Sequence, residues 1–273
     1  MSTLGFLGLS IPGYSKATSL VDSFGETMSL NDLPDHYPYL DPSIVNSVVG
    51  KSHSDLEAVK KVVDKRPEYA KSVWDWRYGD FESAIGAASH VGRRDIALYL
   101  LEKGARPTLF TLAMLGKVEA VKATIEASPG IQLQTGPHSF TLLDHAYAGQ
   151  RMKDKMTAPE NEDQEKTIAY LESLGNADGP AYLEASEQEK QLYIGDYKYG
   201  TGENEGFTVK LNRQKRLSLG PIGGFGGSLY KVAENTFVYN GATSVKVSFE
   251  VEDSRAKALN IKDPDFTLRA KKV

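Results

Sequence analysis

The chain contains no cysteine among its 273 residues. It therefore forms no disulfide and performs no thiol chemistry, although this absence is neutral about the compartment in which the protein works. The apolar run near the N-terminus, residues 4–11, is far too short to span a bilayer. None of the five histidines is paired at the i, i+4 spacing of a helical zinc site, so the spacing predicts neither a metal site nor a cofactor.

The composition is that of a soluble globular protein, with 40% apolar and 25% charged residues, and the length suffices for two ordinary domains. The net charge of −4 is unevenly divided: residues 1–187 carry −8 and residues 188–273 carry +4. An acidic first part repels phosphates, which argues against a nucleic-acid partner.

Residues 1–17 resemble the back half of an export signal. A short apolar run ends at Pro12, and Ser15 and Ala17 give the small-x-small pattern of a cleavage site. The segment is similar to the tail of a twin-arginine signal, although the paired arginines are missing. We predict an exported, periplasmic protein, with a cytoplasmic protein as the alternative. Residues 18–43, rich in Asp, Pro and Tyr, are predicted to be an extended linker.

Residues 82–106 have the pattern of two short helices joined by a tight turn at Gly92. The apolar residues Ile96, Leu100 and Leu101 fall on one helical face, and Gly104 follows as a stop signal. Helices of two to three turns cannot bury an apolar face alone, so neighbouring copies of the unit are expected to cover it.

Copies occur at turn residues Ser54, Gly92, Gly116 and Gly149, in steps of 38, 24 and 33 residues. A helix–turn–helix period near 33 resembles the ankyrin repeat. Residues 74–81 and 129–146 are similar to a group of bacterial ankyrin-type proteins with no assigned activity. The usual threonine-proline-leucine-histidine opening is absent, and the spacing is irregular. A helical bundle without repeats is therefore the alternative.

A polar stretch at residues 151–164 interrupts the last repeat, and we expect an exposed, mobile insertion there. Residues 165–174 resume a helix. The repeat domain is thus predicted over residues 44–178, followed by a connector at residues 179–190.

From residue 191 onward the apolar residues alternate, as in Val245, Val247, Phe249 and Val251. Seven or eight short strands in residues 191–273 predict a small antiparallel sandwich or barrel. The domain resembles the all-β module appended to serine β-lactamase-like proteins, which implies an appendage without chemistry of its own. The predicted fold class is α+β multidomain, an irregular ankyrin-like helical stack followed by this β domain.

Two short motifs suggest chemistry, and neither has the required context. The glycine-rich residues 220–227 lie between strands, whereas a phosphate loop leads into a helix. Ser228 and Lys231 have serine-x-x-lysine spacing, but in a predicted strand they face opposite sides. The sequence therefore predicts no catalytic residue.

The leading hypothesis is a non-enzymatic protein that binds a protein or peptide on the concave face of the helical stack. Its aromatic finger, residues 74–78, either contacts the partner or covers the end of the stack. The alternatives are a hydrolase-like enzyme using Asp80, Glu82, His90, His138 and His145, or an apolar ligand inside the β domain. The candidate binding residues are Trp76, Asp80, Glu82, His90, Met114, His138 and Tyr147.

Overall fold

The computed structural model describes residues 33–212 and 214–273. The predicted export signal and most of the predicted linker lie outside the described residues. Residues 33–41 contain turns and neither helix nor strand, and they belong to a different compact unit from Pro42–Val273. No helix in the described part of the chain is both long and apolar enough to span a membrane.

The first part of the larger unit is built from four pairs of helices. Side chains at the preceding residue cap five of these helices: Asp55, Ser83, Thr108, Thr141 and Thr157 each accept a hydrogen bond from a backbone N–H of the first turn. The helices are α1 (Pro42–Lys51), α2 (Leu56–Val63), α3 (Ala84–His90), α4 (Arg94–Glu102), α5 (Leu109–Met114), α6 (Val118–Ala127), α7 (Leu142–Ala148) and α8 (Ala158–Leu174).

Short elements connect these pairs. A two-stranded antiparallel hairpin, β1 (Val73–Asp75) and β2 (Phe81–Ser83), leads directly into α3. Turns of 3-10 helix occupy Pro67–Lys71, Ile131–Leu133, Pro137–Ser139 and Gly149–Lys155. The first helices of successive pairs touch in chain order, α1 to α3, α3 to α5 and α5 to α7, and α3 also reaches α7. Among the second helices, α2 contacts α4 and α6 contacts α8.

Most of residues 151–163 are exposed, as predicted for the insertion at residues 151–164, but the segment forms a 3-10 turn and the first turns of α8. Thr157 and Glu160 form a capping box that starts α8 at Ala158, seven residues before the predicted resumption of the helix. Gln164, only 1% exposed, donates from Nε2 to the carbonyl oxygens of Ala113 at 3.0 Å and Ala146 at 2.7 Å. These bonds satisfy carbonyls near the ends of α5 and α7, so the segment is part of the packed structure.

We predict that Glu160→Gln lowers the free energy of unfolding at neutral pH. The difference in stability from the unaltered protein should disappear in acid. Glu160 accepts a hydrogen bond from the buried Arg94 at 2.8 Å. The backbone N–H of Thr157, followed by Arg94, lowers the pKa of Glu160 from 4.5 to about 2. A carboxyl with a depressed pKa in the folded state stabilises the protein above its unfolded pKa, and this contribution is lost as the pH falls through about 2.

Because solvent screens this partly exposed carboxyl, we expect a loss of ~1 kcal/mol in the free energy of unfolding at pH 7. Urea denaturation at several pH values measures it. Glu165→Gln, at an exposed position of the same helix, is the control. If Glu160→Gln remained less stable than the unaltered protein by the same free energy at every pH down to about 2, the ion pair with Arg94 could not be the cause.

The second part of the unit is a closed antiparallel barrel of eight strands, which confirms the α+β class and selects the barrel over the sandwich. The predicted strand at residues 192–199 is shorter than expected, because helix α9 (Glu187–Tyr193) extends into it. The strands are β3 (Gly195–Lys198), β4 (Gly206–Leu211), β5 (Leu217–Pro221), β6 (Gly227–Ala233), β7 (Thr236–Tyr239), β8 (Ala242–Glu252), β9 (Arg255–Lys262) and β10 (Thr267–Lys272).

The barrel interior is filled by its own aromatic side chains. Tyr193 stacks on Phe249 with ring centroids 4.3 Å apart, and Phe237 meets both rings edge-on. An eight-stranded barrel is just wide enough to be filled by side chains in this way. This packing argues against an apolar ligand inside the β domain.

The hairpin β1–β2 joins the helical part to the barrel. Tyr78, in its turn, meets Tyr239 of β7 edge-on at 4.9 Å. Arg77 donates to the carbonyl oxygen of Phe225 at 2.7 Å, and Asn240 donates to the carboxylate of Asp80. The hairpin is therefore continuous with α3 at its end and fastened to the barrel at its turn, which restrains the side chains it carries.

Candidate metal centre

The hairpin places a glutamate in the interior of the protein. Glu82 lies opposite Trp74 in the β1–β2 register and is completely buried. Strand alternation sends its neighbour Phe81 outward, where the ring is 64% exposed. Ser83 follows Glu82 and caps α3, so the change from strand to helix fixes the position of the carboxylate.

Helix α3 brings His90 to this carboxylate. Every residue of α3 is buried, and the run of small residues allows close approach of the neighbouring elements. His90 is the last residue of the helix and is 5% exposed. Its ring stacks on Phe140 with centroids 4.8 Å apart and planes nearly parallel at 4°. These contacts hold the imidazole with Nδ1 3.1 Å from Glu82 Oε1.

His53 approaches from the turn between α1 and α2. Its Nδ1 lies 3.0 Å from the carbonyl oxygen of Gly50, which favours the tautomer with the proton on Nδ1. The other ring nitrogen, Nε2, lies 3.5 Å from Glu82 Oε2. The hydrogen bond to the backbone thus turns a nitrogen with a free lone pair toward the glutamate.

His138 approaches from the 3-10 turn Pro137–Ser139, where its backbone is left-handed, with φ 57° and ψ 24°. Asp80 fixes this conformation, since its carboxylate accepts from His138 N at 2.9 Å and lies 2.7 Å from His138 Nδ1. The remaining ring nitrogen, Nε2, lies 3.4 Å from Glu82 Oε1. A non-glycine residue held at positive φ is strained, and such strain concentrates at functional sites.

We refer to His53, Glu82, His90 and His138 as the histidine–glutamate cluster. One ligand atom from each lies within 4.8 Å of every other. Trp76 closes one side, donating from Nε1 to Glu82 Oε2 at 2.7 Å. The side chains of His53 and His138 are 27% and 28% exposed, so solvent reaches the cluster past these two rings.

The electrostatics of the cluster centre on a buried negative charge. Burial alone would raise the pKa of Glu82, but the neighbouring His138 and His90 rings lower it well below its usual range. Burial would lower the pKa of His138, yet the adjacent carboxylates of Asp80 and Glu82 outweigh it and raise the pKa to about 10. Burial lowers the pKa of His90. At neutral pH the metal-free site therefore holds an ionised Glu82, a protonated His138 and a neutral, buried His90.

Two buried atoms at the centre of the cluster lack a hydrogen-bond partner among the described residues: Glu82 Oε1 and His90 Nδ1. Leaving such atoms unsatisfied costs ~1–3 kcal/mol each, more for a charged group. A cation bound between them would satisfy both. Once a metal displaces the Nε2 proton of His138, three imidazole nitrogens and a carboxylate oxygen form a donor set suited to zinc and neighbouring divalent metals.

Five of the seven residues predicted for a binding surface meet at this site: Trp76, Asp80, Glu82, His90 and His138. The other two lie apart. Met114 is fully buried at the end of α5, so it offers no surface to a partner. Tyr147 is 44% exposed on α7 and donates to Glu172 of α8.

His145, the fifth residue expected for an enzyme, does not join the cluster through a ligand atom. It is fully buried, and its Nδ1 lies 2.8 Å from Ser89 Oγ. Burial lowers its pKa to about 3, so the ring is neutral. Its centroid lies 6.3 Å from that of His90, which makes it a packing neighbour of the cluster.

His53 is not among the candidate residues predicted from the sequence, and the histidine spacing predicted no metal site. The four ligands come from a turn, a strand, a helix end and a loop, spread over 85 residues, so no local spacing reveals them. One signal was present: His53 directly precedes the turn residue Ser54, and His90 stands two residues before the equivalent Gly92. Histidines near equivalent turns of successive repeats lie close in space when the repeats stack.

No protein-family model matches this chain, and no curated protein or solved structure matches it significantly. The functional assignment therefore depends on the geometry of the cluster.

Proposed function

We propose that the protein binds one divalent transition-metal ion, with zinc as the first candidate, in the histidine–glutamate cluster. The observation that carries this proposal is the completely buried Glu82 Oε1. It accepts no well-aligned hydrogen bond from the described residues, yet it faces imidazole nitrogens from two other elements at 3.1 and 3.4 Å.

The surroundings of the ligands support metal binding. Metal-ligating histidines generally hydrogen-bond through their second nitrogen to a carboxylate or a backbone carbonyl, which sets the tautomer. His138 uses Asp80 for this purpose, and His53 uses the carbonyl of Gly50. The glutamate has its own partner, because Trp76 engages the oxygen that does not face His90 and His138.

The choice of zinc follows from the number and type of donors. Zinc prefers four ligands in a tetrahedron with bonds of ~2.0–2.1 Å to nitrogen, which separates the donors by ~3.4 Å. The observed upper limit of 4.8 Å between donors therefore requires only a small inward movement of the side chains. Nickel, cobalt and copper also accept this donor set.

The test is to measure the metal directly. Chelator-treated protein dialysed against zinc should retain about one ion per chain by elemental analysis. Trp76 reports on the same site, because its indole bonds to the ligand Glu82. A Trp74→Phe variant leaves Trp76 as the single tryptophan of the chain, and its fluorescence should be quenched by stoichiometric copper or nickel. Zinc retention no higher than that of a variant with His53, His90 and His138 replaced by alanine would overturn the proposal.

A metal-dependent hydrolase is the second candidate. It is favoured by the convergence of Asp80, Glu82, His90 and His138, four of the five residues expected for an enzyme. A tetrahedral zinc held by all four cluster donors has no position left for a water nucleophile, so hydrolysis would require a fifth ligand or the release of one donor. For this reason we rank ion binding first.

The ankyrin-like arrangement and the binding of a protein or peptide partner are also proposals. The chain-order contacts of α1, α3, α5 and α7 support a stack of repeats. The outward side of the hairpin carries Val73 and Phe81, which are 49% and 64% exposed and suit an apolar contact. Export of the protein and the likeness of the barrel to an appended module are further predictions that the described residues leave open.

A further inference from the structure

A pocket of about 270 Å³ lies between the Pro137–Ser139 turn and the barrel, next to the metal cluster. We call it the Ser139 pocket. His138 of the cluster contributes to its wall, so the pocket and the cluster are neighbours that share one residue. The residues that matter for its chemistry are His138, Ser139, Asn212, Arg216, Tyr230 and Asn240.

Two polar atoms of the pocket wall are buried without a hydrogen-bond partner among the described residues: Ser139 Oγ and Asn240 Oδ1. Ser139 is only 5% exposed and has a left-handed backbone, with φ 61°. Asn240 donates from Nδ2 to Asp80, so its amide orientation leaves Oδ1 as the free acceptor. Folded proteins rarely leave buried polar atoms unpaired, and a ligand that reached both would satisfy them.

Arg216, an exposed residue, adds a positive charge to that of His138 in the pocket wall. Its guanidinium lies over the Tyr230 ring at 5.3 Å and donates one hydrogen bond, from Nη1 to Tyr230 Oη at 3.0 Å. The other guanidinium donors have no acceptor among the described residues. The single carboxylate of the wall, Asp144, already accepts from the Thr141 backbone at 2.9 Å. A planar guanidinium held by an aromatic ring is suited to bind a carboxylate or phosphate.

We propose that the Ser139 pocket binds a small molecule that carries an oxyanion and a hydroxyl or amide group. The oxyanion pairs with Arg216, and the second group hydrogen-bonds to Asn240 Oδ1 and Ser139 Oγ. A carboxylate and a phosphate share this chemistry. Binding in the pocket goes beyond the proposed metal function and does not require the ion.

The test is calorimetric titration of the protein, both as purified and after chelator treatment, with inorganic phosphate and, separately, with lactate. We expect saturable one-site binding of at least one of the two in chelator-treated protein. Tighter phosphate binding identifies a phosphate ester as the ligand class, and tighter lactate binding identifies a hydroxycarboxylate. Arg216→Ala should weaken the binding at least ~10-fold, because a charge-assisted contact is lost. Arg255→Ala, at an exposed position of β9, should leave it unchanged.

Ser139→Ala separates a ligand-binding role from a structural one. Because its hydroxyl has no partner among the described residues, we expect the alanine variant to keep or raise the melting temperature while its anion affinity falls several-fold. The absence of saturable binding, or equal binding by Arg216→Ala and Arg255→Ala, would overturn the inference. Zinc analysis of chelator-treated protein after dialysis against zinc separates the two ideas, since anion binding without zinc retention there refutes only the metal site.

Discussion

Glu82→Gln should lower the affinity for zinc by at least ~100-fold, because the glutamine keeps the shape of the side chain and removes the only carboxylate among the four donors. In metal proteins, the loss of a residue that hydrogen-bonds to a ligand lowers metal affinity by about 10–100-fold. Replacing a charged ligand itself by a neutral amide is expected to lower the affinity further. Competition with a chromophoric zinc chelator measures the change. The loss of zinc-dependent stabilisation, which reaches ~2.7 kcal/mol when free metal is 100-fold above Kd, provides a second readout.

Glu57→Gln is the matched control, since it makes the same substitution at a side chain of α2 that is 82% exposed. It should bind zinc as the unaltered protein does. The melting temperature of both variants in chelator separates folding from metal affinity. If Glu82→Gln bound zinc with undiminished affinity while folding normally, the ion would lie elsewhere, and the cluster would be a metal-free ion-pair network around the protonated His138.

Gly92→Ala should destabilise the protein by ~3 kcal/mol or more, which could prevent folding altogether. Gly92 has a left-handed backbone, with φ +71°, and a Cβ there would collide with the Ala148 carbonyl and lie 3.2 Å from Arg151 Cδ. The obstacle is the backbone at the end of α7, two helix pairs further along the chain, and backbone cannot rotate away as a flexible side chain can. Steric overlap therefore adds to the cost of the left-handed conformation.

Gly175→Ala isolates the conformational part of this effect. Gly175 ends α8 with nearly the same backbone angle, φ +68°, but a Cβ there meets nothing within 4 Å. We expect a loss of only ~1 kcal/mol. Chemical denaturation gives the free energy of unfolding of each variant. The difference between the two losses measures how closely the turn at Gly92 packs against the end of α7. Equal losses at the two glycines would mean that α3–α4 and α7 do not approach each other as described.

The hairpin illustrates how far local sequence rules reach. The alternation of Trp74, Trp76 and Tyr78 predicted that these side chains share one face, and all three are half-buried between exposed neighbours. The same rules placed the turn at Gly92 and the β strands of the second part. They missed the start of α8 at Ala158, because the polar residues there were interpreted as an insertion between helices, whereas the buried Gln164 uses its polar group to satisfy two helix ends.

The sequence by itself determined the class of the fold, because helical and alternating periods are local properties of consecutive residues. It also identified Trp76, Asp80, Glu82, His90 and His138 as binding candidates, along with Met114 and Tyr147, since all seven were predicted to line one face of the helical stack. Only the tertiary structure decided that these residues turn toward one another and that His53 completes them. Distances between nitrogen and oxygen atoms from four separate elements depend on how the helix pairs and the hairpin pack, and no pattern of neighbouring residues records that packing.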